Sequence, residues 1–466
     1  MNFWVGRREL LILFFVLLAG EAFAHASGRG FVLLLPTETM QVAGTVAVAL
    51  SFALIAFTPS KLLRNLFKEW TIAEFSLPRI ETILSLAGLL FWLALVVIGF
   101  TGARDPLANP LPLTVWTLLW TAFTFICAAF GNLWAILNPW TGLTKLIGLD
   151  EPPLRLSDRL GHAPALLCLF AFGWFEIVDI APDDPARLAQ AVASYWLITQ
   201  LCIMAFGERV WMERGEFLNV FFGFIGRLAP VRFSRTDQRV RLTASLPGAG
   251  LVHGSIPSLS SAVFILCALA TVSFDGLSET WWWLSQLGIN PLEFPGRSAV
   301  VIQNSLGLLA ACATLTLAFM LCLKLGLAIS STPATFAEII CRLSLSIIPI
   351  SLAYHFAHYL VALLVNGQYA LAAATDPLAT GADFLGLGQF YVTTSFLNTR
   401  DSVETIWRAQ SGAIIVGHII AVCVAHRISL DLWETERRTT FAQIPLATLM
   451  LAYTFFGLWL LASPTA

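Results

Sequence analysis

Ten stretches of the chain are long and apolar enough to cross a lipid bilayer. That repetition sets the fold class before any motif is considered. They lie near 40–58, 81–101, 113–134, 163–180, 189–206, 259–275, 298–323, 343–365, 411–427 and 443–462. A helix needs about 20 residues to span the hydrocarbon. Lipid offers no partner to a free N–H or C=O, so each stretch is expected to be helical. Composition agrees: 57% of the 466 residues are hydrophobic and 12% are charged, where soluble domains carry about 25% charge. The expected fold is therefore all-α, a polytopic transmembrane bundle forming one domain over 25–466. A net charge of -2 argues against a nucleic-acid partner and leaves membrane lipid as the surrounding partner. The eight cysteines fall within or at the ends of apolar stretches and form no C-x-x-C pair, so they read as small buried hydrophobes.

The first residues have the layout of a secretory signal peptide: Arg7 and Arg8, an apolar run from Leu10 to Gly20, then Ala22-Phe23-Ala24. Cleavage after 24 makes His25 the first mature residue. With that end outside, nineteen of the 27 Lys and Arg residues fall in or beside the inner loops and six on the outer side. This bias follows the positive-inside rule. It predicts a bacterial inner-membrane protein with the mature N- and C-termini in the periplasm. "GEFLNVFFGFIG" (215–226) is too short to cross and reads as an interfacial or re-entrant helix on the cytoplasmic side. The basic "RLAPVRFSRTDQRVR" beside it suits anionic headgroups. "AAFGNLWAILNPW" and "MAFGERVWMERGE" echo each other, with Phe-Gly and then Trp at a helix exit.

Soluble catalytic motifs are missing: there is no H-E-x-x-H, G-x-S-x-G, P-loop or G-x-G-x-x-G. Chemistry must come from polar groups inside the bundle, which are costly there and usually functional. His355 and His358 stand three apart in the eighth span and share a helix face. His358 lies seven residues from the expected outer end of that span, and His418 seven from the outer end of the ninth. Neutral imidazole is the commonest metal ligand. Three imidazoles at one depth match a zinc, iron or copper site with an open position. His25, paired with a free amine, adds a copper-type chelate. Glu176 and Asp179, also three apart, can complete a metal shell or act as general base. The long outer stretch 366–410 joins the two histidine helices and reads as a possible lid.

The stretches "IPISLAYHFAHYLVALLVNGQY", "GHIIAVCVAHR", "GNLWAILNPW" and "RGEFLNVFFGFIGRLAP", with "AHASGRGFVLLLPT" after the signal, resemble a family of bacterial polytopic membrane proteins. Some of its members are named fenitrothion hydrolase. The family's N-terminal segment runs His-Gly, Arg, Asp-Leu-Pro; here Val32 to Leu34 replace the acidic position. The resemblance implies hydrolysis of apolar organophosphorus triesters drawn from the bilayer. His355, His358 and His418 would hold a divalent metal, Glu176 or Asp179 would take a proton from bound water, and Tyr354 would bond the phosphoryl oxygen. Two other readings stand beside it. One is a copper-type permease with His25 capturing the ion. The other is a non-catalytic subunit in a homo- or hetero-oligomer with a related membrane protein. The strongest polar intrusions cluster in the expected outer half, which favours a site open to the periplasm over a path through the membrane.

Overall fold

The computed structural model describes residues 35–465 apart from 77–79, 149–151, 237–238, 294–295, 389 and 434. The expected signal peptide (1–24) and His25 lie outside the described residues. Ten principal helices follow: α1 (Thr37–Ala56), α2 (Glu81–Thr101), α3 (Pro110–Phe130), α4 (Ala163–Ile177), α5 (Pro185–Phe206), α6 (Leu259–Ser278), α7 (Val301–Ile329), α8 (Phe336–Thr375), α9 (Arg400–Leu432) and α10 (Glu436–Ala462). Nine of these, among the described residues, reach membrane-spanning length and hydropathy. The chain is a multi-pass helical membrane protein. Only α4, with 15 residues, is short, because its chain leaves the helix at Val178 where a span to 180 is expected.

Local chemistry sets the helix ends. Asp184 caps α5, its carboxylate accepting from the Arg187 amide at 2.9 Å just ahead of Pro185. A reciprocal Ser258–Ser261 pair caps α6. The helical segments that finish at Phe130 and Phe206 each stop on a glycine, Gly131 and Gly207, both at φ +91°. The sequence echo is therefore a shared helix stop. Its tryptophans, Trp134 and Trp211, are buried instead of lying at an interface.

Helices α6, α8 and α9 are the most enclosed and form the centre. Around them α8 packs on α3, α6 and α9; α9 on α1 and α10; α7 on α6 and α10; α4 on α6; and α5 on α2. Helices α8 and α9 meet where Gly417 has no side chain: a Cβ there would lie 2.4 Å from the Ala353 Cβ and 2.8 Å from the Pro349 carbonyl. Within α3, Leu113–Phe123 is π-helical. The Thr121 hydroxyl donates back to the Trp116 carbonyl, five residues earlier, at 2.9 Å.

The Phe217–Gly226 helix is enclosed by α3, α4 and the Trp134–Leu137 turn, with seven of its side chains from Phe217 to Ile225 buried. An interfacial helix would keep one face open. This one sits inside protein, the setting in which a short segment at membrane depth is tolerated. Beside it the basic segment forms a sheet: β1 (Trp70–Ser76), β2 (Val231–Thr236) and β3 (Arg239–Ala244), antiparallel in the order β1-β3-β2. Arg241 pairs with Glu74 across β3 and β1 at 2.6 Å.

Two of the expected helix boundaries move outward. Helix α8 runs on to Thr375 and α9 begins at Arg400, leaving 376–399 as the connection in place of 366–410. The close seam between α8 and α9 generates a prediction. Gly417→Val should lower stability by about 1–3 kcal/mol, the usual cost of overpacking. Gly412→Ala on the same helix meets nothing within 4 Å and should be neutral or slightly stabilising. Thermal melting of both variants in detergent checks the pair.

Candidate functional site

Just over one and a half turns of α8 carry Tyr354, His355, His358 and Tyr359, which reach into different neighbouring helices. His358 turns to α6, where its Nε2 lies 2.8 Å from Oδ2 of Asp275. The carboxylate accepts, so Nε2 carries the proton and Nδ1 is free to act as a base. Nδ1 faces Gly276, at which a Cβ would stand 3.6 Å away. Tyr359 turns between α4 and α6. Its hydroxyl lies 2.7 Å from Oε1 of Glu176 and 3.0 Å from Oδ2 of Asp275. The Trp120 indole of α3 donates to the same hydroxyl at 3.3 Å.

Proton counting restricts this cluster. A phenol has one proton and can donate to one carboxylate at a time. Were Glu176 and Asp275 both ionised, one of the two O···O contacts would hold no hydrogen. The arrangement is therefore suited to sharing a proton between two carboxylates through Tyr359, with His358 closing the chain. The short end of α4 helps to place Glu176. Arg297 donates to the Glu176 carbonyl at 2.6 Å and to the Asp179 carbonyl at 3.3 Å, satisfying the end of the helix.

The apolar side of Trp120 lines a second feature. A cavity of about 430 Å³ lies between α2, α3, α4 and α5. Its wall is aromatic and aliphatic, including Trp92, Trp116, Trp120, Phe172, Phe175 and Tyr195. Leu93 and Ile198, which also line it, are 46% and 56% exposed, so the cavity reaches the outer face of the bundle. Trp120 is thus common to the proton-sharing cluster and the apolar cavity.

The expected ligand set is not gathered. His355 is buried, and its Nε2 lies 2.8 Å from the Trp120 carbonyl. His418 is fully buried, its Nδ1 2.8 Å from the Ile414 carbonyl of its own helix, beside the Tyr354 ring at a centroid distance of 6.3 Å. Both carbonyls can only accept, so the facing nitrogen of each ring carries a proton and donates to backbone. Among the described residues no group of three or more His, Cys, Asp or Glu side chains is placed to hold a metal ion. His358 lies seventeen residues from the end of α8 and His418 eighteen from the start of α9, a matched pair, but further from the helix ends than the seven residues expected. Their directions around the helix axes differ. Tyr354 is likewise committed, donating to the Tyr453 carbonyl of α10 at 2.5 Å. Spacing alone did not find Asp275. It is an acid inside the apolar run "ATVSFDG", placed at the expected end of the sixth span, where an acid passes as a boundary residue.

Asp179 also departs from expectation. Helix α4 ends at Ile177, so Asp179 no longer follows the helical spacing that would put it beside Glu176. Its Oδ2 lies 2.6 Å from Arg187, and its Oδ1 accepts from the Ala181 amide at 2.9 Å. Burial pushes its carboxyl up, but the Arg187 guanidinium and the Ala181 amide outweigh it and hold the group below the usual carboxylate range. Asp376 and Asp383 of the 376–399 connection are also held low, Asp376 by the Thr380 and Gly381 amides and Asp383 by the Gly388 amide and the Thr375 hydroxyl. They are ligands of their own turns, not of the cluster.

No protein-family model, curated protein or solved structure matches the chain. Two predictions follow from the geometry. Metal content of purified protein should be the same in wild type, His355→Ala and His418→Ala, measured by elemental analysis. The Asp179–Arg187 pair has a lowered folded pKa, so its stabilisation is present above the unfolded value near pH 3.9 and is lost as pH falls through the folded value. Arg187 is 46% exposed, which screens the pair to about 1 kcal/mol or less. The melting difference between wild type and Asp179→Asn should therefore be small at pH 6 and vanish once the pH falls below the folded value.

Proposed function

We propose that the chain is a membrane-embedded hydrolase of apolar organophosphorus triesters, working from the periplasmic half of a bacterial inner membrane. One observation carries this reading: an imidazole–carboxylate pair is linked through the Tyr359 hydroxyl to Trp120, which lines an apolar cavity. A neutral triester partitions into lipid, and the cavity reaches the lipid-facing surface near Leu93 and Ile198. The His358 side chain is 23% exposed, which in this scheme gives water access to its Nδ1.

In this scheme water gives a proton to His358 Nδ1 and its oxygen bonds to phosphorus. The P–O bond to the aryl group breaks, and the electron pair leaves with the phenolate oxygen. Asp275 fixes the imidazole tautomer and steadies the imidazolium that forms, the role a carboxylate plays behind any such histidine. Glu176 returns a proton to the leaving group through Tyr359. General acid–base groups of this kind contribute about 10²–10⁴ in rate. His358, in place of Glu176 or Asp179, takes the proton from water, and Tyr359 relays a proton instead of bonding the phosphoryl oxygen as expected of Tyr354. The imidazoles do not fit a shared metal, so no step is routed through one.

A second reading draws on the same cluster. Carboxylates that share a proton inside a bundle also serve as relays in permeases. Turnover separates the two. In nanodiscs, wild-type protein should release p-nitrophenolate from a dialkyl p-nitrophenyl phosphate. His358→Gln and Asp275→Asn should each lower kcat about 100-fold or more, and Asp179→Asn should keep the wild-type value. Wild-type discs no faster than empty discs would sink the hydrolase reading. A proton flux in proteoliposomes abolished by Glu176→Gln would then favour the permease, and its absence the non-catalytic subunit.

A further inference from the structure

At the end of the bundle that carries the three-stranded sheet lies a second cavity of about 430 Å³, independent of the cluster described above. Arg64, Asn65, Lys68, Glu69, His253 and Arg427 line it. Its charges do not balance. Arg64 and Arg427 share one carboxylate, Asp431, at 3.6 and 2.7 Å. Glu69 is taken by Arg232. Four cations thus face two acids among these residues and their direct partners, leaving two positive charges uncompensated. Lys68 is exposed, and no ion pair is recorded for it among the described residues.

Arg427 shows that the excess is built in. It is only 7% exposed, on the inner flank of α9, yet its Nε has no hydrogen-bond partner. A buried, unpaired guanidinium N–H is costly unless an acceptor arrives. His253 is pinned by Nε2 to the Phe67 carbonyl at 2.9 Å, holding the wall of the cavity in place. The apolar surroundings indicate the membrane level. Leu62 and Leu66 on the Ser60–Leu66 helix are 60% and 40% exposed, and α1 ends just before that helix.

We infer that this cavity binds a phosphate oxyanion, carried on an anionic lipid headgroup or free in solution. Arg64, Lys68 and Arg427 neutralise the phosphate, the forked guanidinium of Arg427 supplying its orphaned Nε–H. With a lipid, the acyl chains lie along Leu62 and Leu66.

The test uses the full chain, delipidated in detergent and checked for folding by size exclusion. Binding of fluorescent phosphatidylglycerol is titrated, with phosphatidylcholine as the zwitterionic comparison and inorganic phosphate as ligand and competitor. Wild type should prefer phosphatidylglycerol, and Arg64→Gln with Lys68→Gln should weaken it about tenfold or more. Arg239→Gln removes one positive charge, as Lys68→Gln alone does, from an exposed position on β3, outside the cavity, and should bind as wild type. If the double variant fails to fold, Lys68→Gln alone, at an exposed residue, carries the comparison. Competition by phosphate, or binding of phosphate alone, assigns the free anion as ligand; binding of the lipid without competition assigns the headgroup. Equal affinity of wild type and the Arg64/Lys68 variants for each probe, or no preference over phosphatidylcholine and no phosphate binding, overturns the site.

Discussion

A hydroxyl held between two carboxylates is the contact on which the interior depends. Tyr359 joins Glu176 of α4 to Asp275 of α6, and His358 and Trp120 tie the same atoms to α8 and α3. Four helices converge on a few polar groups in a bundle otherwise packed by apolar side chains. In lipid there is no water to take over a lost partner, so each member needs the others. Such a network is weak evidence for stability. Removing one partner of a buried pair costs about 3–5 kcal/mol, whereas apolar replacement of the whole set is often neutral or stabilising. Two acids and an imidazole kept there are what the proposed proton chemistry draws on.

Much of the architecture was legible in the sequence because the bilayer imposes one dominant constraint. All ten apolar stretches are helices, and their order is the order of the bundle. What failed was local. The sheet was written in alternation, Val240 and Leu242 between Arg239, Arg241 and Thr243, but the density of arginine drew attention to charge and not to that period. The ends of α8 and α9 were missed because alanine-rich and polar turns continue each helix beyond its apolar run. The 217–226 helix was found, yet nothing in its own residues told whether lipid or protein would cover it.

The site shows the same division between length and direction. Spacing along a helix fixes distance from its end: His358 and His418 stay matched at seventeen and eighteen residues from their helix ends, though both helices run about ten residues further than expected. Direction depends on which neighbour lies at each azimuth, and that is a property of the assembled bundle. Adjacent positions on a helix differ by about 100°, so Tyr354 and His355 must face different partners. The structure sends Tyr354 towards Tyr453 and His418, His355 towards Trp120, and His358 towards Asp275. Asp275 was hidden for the complementary reason. A single acid near a helix end carries no spacing signal until its partner on another helix is known.

The π-helical part of α3 explains how one tryptophan serves two surroundings. In an α-helix, Val115 and Trp120, five residues apart, would point about 140° from each other. A π-helix closes through i→i+5, so they come round to the same side. Both line the apolar cavity, with Trp116 and Leu119 between them. The widened turn thus builds a broad aromatic wall from a single helix. It also presents the Trp120 carbonyl to His355 and the Trp120 indole to Tyr359. A regular helix would have to choose between lining the cavity and supporting the cluster. The local departure from α geometry lets the same residue do both, and that sets the cavity wall against the proton-sharing groups.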